Sequence, residues 1–115
     1  MGQPVVHWEI GAKDSKKLQA FYAALFDWEI DANNPMEYGM VRTGGSGGID
    51  GGIMGSKGDE TYLTIYVQVA DLQTYLDRAE SLGGRAVLAP TPIPGVGAIA
   101  AFRDPEENLI GLFSA

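Results

Sequence analysis

The sequence predicts an α+β domain in which two βαβββ modules form a curved mixed sheet around a cavity. Residues 6–30 and 63–87 repeat one order, an apolar strand, an Asp, a helical stretch and a second strand. Aligning Asp14 with Asp71 needs an offset of 71 − 14 = 57 and pairs the only histidine, His7, with Thr64. Two helices can cover only one face of eight strands, which leaves the other face free to curve.

The length supports one domain over residues 1–115, because 115 residues can bury a core without disulfides or metals. Module one covers about 4–57 and module two about 60–115.

The first module opens with an alternating strand at 4–10, which puts His7 and Glu9 on one face and Trp8 on the other. Asp14 or Ser15 can cap the following helix. An apolar stripe on that helix and two further strands, 28–30 and 38–42, complete the first part of the module. The stripe consists of Leu18, Phe21, Tyr22 and Leu25.

Residues 44–58 hold eight of the sixteen glycines. They lack both the Gly-Lys-Ser/Thr ending and the G-x-G-x-x-G pattern of phosphate-binding loops. We therefore predict a hairpin that leads into a glycine-rich strand near 49–54, where another group can approach the backbone closely.

The second module repeats the order, with a strand at 62–69 and a helix capped by Asp71 and ended by Gly83-Gly84. Strands are predicted at 85–89, 97–102 and 108–113, and the proline-rich segment 90–95 is predicted as a stiff connector. The helix stripe is Leu72, Tyr75, Leu76, Ala79 and Leu82.

Composition excludes several classes of partner and site. The net charge of −7 argues against nucleic acid and against anionic membrane surfaces, which both need clustered cations. The absence of cysteine removes disulfides, thiolate metal sites and cysteine nucleophiles. With no long apolar run and no basic leader at the N-terminus, the cytoplasm is the expected location.

Two segments carry a family resemblance. VVHWEIGAKDSKKLQAFYAALFDWEI and FRDPEENLIGLF resemble the opening and the final turn and strand of the vicinal oxygen chelate superfamily. That superfamily includes glyoxalase I, bleomycin-resistance proteins and extradiol dioxygenases. The resemblance implies paired βαβββ modules, a small-molecule cavity and often a homodimer. Glu107 stands where the family usually has Gly, and it would strain the turn if that position needs a positive φ.

The resemblance also implies where a divalent metal would bind, with one ligand on the first and one on the last strand of each module. His7 matches the first ligand position. The other three positions fall on the Gly51-Gly52-Ile53 stretch, on Thr64 and on Gly111, which are poor ligands or none. We therefore predict no cofactor and no metal ligands, and keep as an alternative a rearranged metal site of His7, Glu9 and Asp50.

The face shared with His7 predicts a ligand-binding wall of aromatic and polar groups, which is typical of small-molecule sites. Glycine at two former ligand positions would leave room for a flat, aromatic ligand. His7 paired with Glu9 or Tyr66 could also act as a general base, although no catalytic residue is assigned. The predicted binding residues are His7, Glu9, Tyr38, Met40, Thr64, Tyr66, Gln68, Gly111 and Phe113.

Three functions remain open from the sequence. The first is a metal-free protein that sequesters an aromatic or antibiotic-like ligand beside His7, and it is favoured by the loss of three ligand positions. The second is a glyoxalase, isomerase or dioxygenase type of enzyme with a rearranged metal site. The third is a dimeric module whose cavity is vestigial. The expected partners are a small molecule and a second copy of the chain.

Overall fold

A computed structural model describes residues 2–58 and 60–115, which form eight strands and two helices. The fold is α+β, and each half follows the predicted βαβββ order. The elements are β1 Val5–Ala12, α1 Ser15–Phe26, β2 Glu29–Asp31, β3 Gly39–Arg42, β4 Gly51–Gly55, β5 Tyr62–Gln68, α2 Leu72–Ser81, β6 Arg85–Ile93, β7 Gly97–Arg103 and β8 Leu109–Ser114.

The chain divides into two compact units. The first unit is His7–Leu63, and its strands are ordered β2-β3-β4-β1. The second unit is Thr64–Ala115 with the N-terminal segment up to Val6, and its strands are ordered β5-β8-β7-β6. In both units one pair is parallel, β1 with β4 and β5 with β8, and the other pairs are antiparallel. Each set of four strands is therefore mixed, as predicted.

In the first unit, α1 begins at its predicted cap, where the Asp14 side chain accepts a hydrogen bond from the Lys17 N–H. The buried core is Ala12, Val41 and Ile53. Leu18, Tyr22, Trp28 and the Trp8 ring pack against this core, in line with the predicted strand parity.

Half of the predicted α1 stripe is not buried. Phe21 is 55% exposed and Leu25 57% exposed, whereas Leu18 and Tyr22 reach the core. Leu18 and Tyr22 lie on the side of the stripe nearest to the buried Gln19, and Phe21 and Leu25 lie on the other side, so the buried face of α1 is rotated away from them.

In the second unit, α2 begins at Asp71, whose side chain accepts from the Thr74 N–H. Leu72 and Leu76 are buried against Ala100 and Leu112. Leu82 was expected in this stripe but is 75% exposed, because α2 ends at Ser81 and the chain turns away at Leu82.

The prediction of a connector at 90–95 is wrong for residues 90–93, which belong to β6. β6 continues to Ile93, where Thr91 lies opposite Ile99 and Pro92 opposite Ala98. β6 is the last strand in the order of its unit, and proline is tolerated on an edge strand because no neighbour needs its missing N–H.

The turn before β8 holds the predicted backbone strain. Glu107 has φ 70, a left-handed conformation that glycine adopts at lower cost. Asp104 stabilises the turn, since its Oδ1 accepts from the backbone N–H groups of Glu106 at 2.9 Å and Asn108 at 3.0 Å. The Arg85 guanidinium pairs with the Glu107 carboxylate at 2.7 Å on the surface.

A search of residues 2–58 and 60–115 finds no helix that is long and apolar enough to cross a membrane.

Replacing the turn carboxylate should destabilise the fold and change its response to acid. Hydrogen bonds from the backbone and side chain of Asn108 lower the pKa of Asp104. Stability from a lowered carboxyl pKa is present above its ordinary value and is lost as pH falls through the folded value. Asp104→Ala should therefore lower the thermal midpoint at pH 7 and lose less stability between neutral pH and about pH 3.

The control is Glu106→Ala, because only the backbone N–H of Glu106 bonds to Asp104. Midpoints measured by circular dichroism against pH check the prediction. Equal midpoints for the two variants at every pH would contradict it.

Candidate functional site

A row of residues crosses all four strands of the first unit on one face. Glu9 of β1 lies opposite Gly52 of β4, Gly52 lies opposite Met40 of β3, and Met40 lies opposite Asp31 of β2. Side chains of alternate residues share a face, so His7 lies on the same side of β1 as Glu9. The face opposite the helix therefore gathers side chains that are distant in sequence.

Three side chains on this face are joined by hydrogen bonds. His7 Nε2 lies 2.8 Å from Tyr38 Oη, and Tyr38 Oη donates to Glu9 Oε1 at 2.9 Å. The rings of His7 and Tyr38 are also stacked, at an interplanar angle of 23°. The link from His7 to Glu9 thus runs through the Tyr38 phenol, whereas the sequence predicted a direct pairing of His7 with Glu9 or Tyr66.

Tyr62 completes the environment of the carboxylate, donating from its Oη to Glu9 Oε2 at 2.5 Å. Glu9 is only 7% exposed, and each of its oxygens accepts a hydrogen bond from one tyrosine. Such donors are what a buried carboxylate needs to remain in the interior.

These bonds assign a direction to the chain. A phenol has one proton, and Tyr38 donates it to Glu9. Tyr38 therefore accepts from His7, which places a proton on His7 Nε2. We call His7, Tyr38, Glu9 and Tyr62 the hydrogen-bonded chain.

Glycine makes room for both phenol rings. A Cβ on Gly52 would overlap the Tyr38 ring and hydroxyl, and a Cβ on Gly11 would overlap the Tyr62 ring. Gly52 lies in the stretch where the family resemblance implied a metal ligand. The space above it is filled by the protein's own tyrosine, so it does not enlarge the site for an aromatic ligand as expected.

A cleft of roughly 480 Å³ opens beside His7 within the first unit. The Met40 and Arg42 side chains lie on this face with three acids, whereas the Ile30 and Val41 side chains pack in the core on the helix side. The lining residues are His7, Glu29, Ile30, Asp31, Met40, Val41, Arg42, Asp50 and Gly51. Of the predicted residues in this unit, His7 and Met40 thus line the cleft. Tyr38 and Glu9 are not among its lining residues and are connected to it through the hydrogen bond between Tyr38 and His7.

Burial affects the charge of His7. Desolvation lowers the pKa of His7 below 6.5, and the negative charges of Glu9 and Asp50 oppose this shift without cancelling it. His7 is therefore neutral at pH 7 and carries the tautomer that the hydrogen-bonded chain assigns.

The other five predicted residues lie in the second unit. The Thr64 hydroxyl is buried and donates to the Leu109 carbonyl at 2.7 Å, so it serves the backbone. Gly111 lies opposite Tyr66, and a Cβ there would be 2.6 Å from the Tyr66 ring. Gln68 lies opposite Phe113 on β5 and β8. These residues share two neighbouring strands.

Three of the four positions where the family resemblance implied a metal ligand do not suit one. Gly52 and Gly111 face tyrosine rings, and the Thr64 hydroxyl already donates to a carbonyl. The alternative set is also poor, since Glu9 accepts from two phenols and Asp50 accepts from the Thr43 N–H at 3.0 Å. In the part of the chain that the structure describes, no three His, Cys, Asp or Glu side chains group as a metal site would.

Sequence reasoning missed Tyr62, Glu29 and Asp31. Tyr62 has the same parity as Thr64 on the predicted strand, so alternation placed it on the correct face. The bond from Tyr62 to Glu9 spans 53 positions, and no local pattern indicates a contact over that separation.

Comparison with known proteins gives the family. The model of the glyoxalase-like domain matches residues 7–113, which is nearly the whole chain. The chain belongs to the glyoxalase-like family. This match confirms the predicted resemblance to the vicinal oxygen chelate superfamily. A comparison with curated proteins found no match.

Solved structures agree with this glyoxalase-like fold at low sequence identity. Methylmalonyl-CoA epimerase from Mycobacterium tuberculosis superimposes with a TM-score of 0.67 at 16% identity, over 96% of this chain and 86% of that one. A glyoxalase/bleomycin resistance protein/dioxygenase superfamily member from Vibrio splendidus gives 0.65 at 18% identity, over 99% and 100% of the two chains. The Mn(II)-bound glyoxalase from Novosphingobium aromaticivorans gives 0.67 at 19% identity, over 97% of this chain and 38% of that one.

The contact between Gly52 and Tyr38 can be tested by adding one methyl group. Gly52→Ala should lower the free energy of unfolding by about 1–3 kcal/mol, because the added Cβ overpacks a filled site. The cost should shrink when Tyr38→Ala removes the ring, since the two positions are coupled. Urea unfolding of both single variants and the double variant measures the coupling.

Gly55→Ala is the matched control, because a Cβ there meets nothing within 4 Å. It should be neutral or slightly stabilising. A Gly52→Ala cost no larger than that of the control would show that the two side chains are not in contact.

The depressed pKa of His7 predicts a dependence of stability on pH. A histidine that is harder to protonate in the folded state binds fewer protons there than in the unfolded state. Stability should therefore fall as pH falls from above 6.5 toward the folded pKa of His7. His7→Gln should flatten this part of the profile. Unfolding free energies between about pH 5 and pH 8 measure the slope, and an unchanged slope in the variant would argue that His7 is not its source.

Proposed function

We propose that this glyoxalase-like protein binds a small molecule in the cleft beside His7 without using a metal ion. The observation that carries the proposal is the state of the donor atoms on the His7 face. Both Glu9 oxygens accept from tyrosines, and the ring of Tyr38 lies over Gly52. A ligand would then contact His7, Met40 and Arg42 directly.

The size and lining of the cleft support this proposal. About 480 Å³ lies within the range that suits small-molecule ligands. The exposed Met40 side chain offers apolar surface to a ring, and Met adapts readily to the shape of an aromatic group. An aromatic or antibiotic-like compound fits both features.

The charges of the lining favour an additional cationic group on such a ligand. Glu29, Asp31 and Asp50 are acidic, whereas Arg42 is the one permanent cation among the lining residues. Clefts lined by one sign of charge concentrate ligands of the opposite sign. A positively charged substituent would lie nearest to the acids.

The enzyme alternative receives some support from the structural neighbours, which include an epimerase and a manganese-bound glyoxalase. Identities of 16% and 19% extend only to the fold, so their activities are not transferred. The donor atoms described above favour metal-free binding over a rearranged metal centre.

Assembly as a homodimer and a cytoplasmic location stay predictions. The exposed Phe21, Leu25 and Phe26 side chains of α1 form apolar surface that a second copy would cover. A vestigial cavity with only a dimerising role is the third possibility, and it predicts no ligand at the cleft.

A ligand screen on metal-stripped protein tests the proposed function. The panel contains aromatic compounds in matched cationic, neutral and anionic forms. A compound that binds only the folded state must raise the thermal midpoint, and at 100 times its dissociation constant it adds about 2.7 kcal/mol. We expect cationic aromatic compounds to give the largest shifts.

The variants Met40→Arg and Met36→Arg assign the shift to the cleft. Met40 lines the cleft, whereas Met36 is exposed outside it. Met40→Arg should abolish the shift and Met36→Arg should keep it. A shift that appears only after Mn²⁺, Zn²⁺ or Ni²⁺ is restored would favour the enzyme alternative, and no shift with any compound would favour the vestigial one.

A further inference from the structure

We propose that the ligand of the cleft is a zwitterion, an aromatic α-amino acid whose ammonium and carboxylate groups are carried by one carbon. Arg42 binds the carboxylate, Glu29 binds the ammonium group and Met40 covers the ring. This inference rests on the proposed binding of a small molecule in the cleft and names the class of that molecule.

The register of β2 and β3 brings these three side chains together. Glu29 lies directly opposite Arg42, and the next opposite pair on the same face is Asp31 with Met40. All four residues line the cleft and are exposed. One ligand can therefore reach an acid, a base and an apolar side chain on two neighbouring strands.

The opposite charges of Glu29 and Arg42 are available to a ligand. Across residues 2–58 and 60–115, ion pairs join Lys16 with Glu37 and Arg85 with Glu107, and none joins Glu29 with Arg42. A transient contact between two exposed side chains contributes little free energy. A ligand that contacts both side chains can therefore replace such a contact at small cost.

Glu29 is the acid best placed to bind the ammonium group. Asp31 accepts a hydrogen bond from the Asn33 N–H at 2.9 Å, and Asp50 accepts one from the Thr43 N–H at 3.0 Å. Among the residues that the structure describes, no donor is found for the Glu29 carboxylate. Glu29 therefore keeps its full capacity to accept hydrogen bonds from an ammonium group.

Arg42 accounts for the carboxylate of the ligand. It is the one permanent cation among the lining residues, and a guanidinium binds a carboxylate through two parallel N–H···O bonds. The three acids of the same cleft disfavour a ligand whose only charge is negative. A carboxylate should therefore bind here only when the ligand also carries a positive group beside it.

The spacing of the strands fits an α-amino acid. Opposite residues of an antiparallel pair have Cα atoms about 4.5–5.5 Å apart, so the end groups of Glu29 and Arg42 can reach two substituents of one carbon. Residues two positions apart on a strand are separated by about 7 Å, which places Met40 next to a ring attached through one methylene. Met40 is 52% exposed and can adapt to that ring.

Isothermal titration calorimetry at pH 7 with three related probes tests the ligand class. The probes are phenylalanine, phenethylamine, which lacks the carboxylate, and 3-phenylpropionate, which lacks the ammonium group. We expect phenylalanine to bind about fivefold tighter than phenethylamine, which is the upper range for an exposed charge pair, and 3-phenylpropionate to bind most weakly. Net charge alone predicts that phenethylamine binds most tightly, because the cleft is acidic.

Arg42→Gln assigns the carboxylate contact. The variant should bind phenylalanine no more tightly than phenethylamine, and its affinity for phenethylamine should not fall. Arg42→Glu should reverse the preference, so that phenethylamine binds more tightly than phenylalanine. The control is Arg78→Gln, which changes the net charge equally at an exposed arginine that does not line this cleft. It should keep the fivefold preference.

Glu29→Gln assigns the ammonium contact. It should weaken the binding of phenylalanine and of phenethylamine by a similar factor, because both carry the ammonium group, and it should not weaken the binding of 3-phenylpropionate. The control is Glu60→Gln, an exposed glutamate that does not line the cleft. All these substitutions change exposed side chains, and circular dichroism checks that each variant is folded.

The outcomes separate this inference from the proposed function. Phenylalanine that fails to bind at millimolar concentration, or that binds no tighter than phenethylamine, overturns the zwitterionic ligand, as does a preference that survives Arg42→Gln. Unchanged affinities in Glu29→Gln overturn the role of Glu29. The proposed function then still stands if phenethylamine or another aromatic compound gives the Met40-dependent thermal shift. If no compound gives that shift, the proposed function itself fails.

Discussion

Glu9 places a carboxylate inside the first unit, and the surrounding side chains are arranged to satisfy it. An ionised carboxyl removed from water is stable only if hydrogen-bond donors replace the lost solvent. The phenols of Tyr38 and Tyr62 supply these donors. Two rings must therefore reach Glu9 from positions 29 and 53 residues away in the sequence.

This requirement explains two of the glycines. Each ring crosses a neighbouring backbone so closely that a Cβ would overlap it, at Gly52 for Tyr38 and at Gly11 for Tyr62. The second unit uses a similar arrangement, with Tyr66 against Gly111. Gly52 and Gly111, which lie where the family resemblance implied metal ligands, are thus sites of close packing by tyrosine, and the packing leaves no space for a longer side chain.

The same arrangement gives His7 its chemistry. Because Tyr38 uses its only proton to bond Glu9, it can only accept from His7, so the buried carboxylate determines the tautomer of a residue it does not touch. Burial keeps that imidazole neutral at pH 7. Thr64, at the equivalent place in the repeat, has no such role, since its hydroxyl bonds the Leu109 carbonyl. The two halves share a fold and differ in chemistry.

Local patterns determined most of the secondary structure, because periodicity, caps and turns depend on neighbouring residues. Alternation placed His7 and Glu9 on one face, and Asp14 and Asp71 capped their helices. The internal repeat predicted the α+β fold, and the family resemblance supported it and added the positions at which to look for a metal.

Tertiary structure alone decided what those residues do. The exposure of Phe21 and Leu25 follows from which face of α1 packs on the sheet, and that of Leu82 follows from the end of α2 at Ser81. The extension of β6 through Pro92 follows from its place at an edge. The bonds from Tyr38 and Tyr62 to Glu9 join positions 29 and 53 residues apart. Such contacts depend on strand order and register, which are set by the packing of the whole unit, so no local stretch of sequence specifies them.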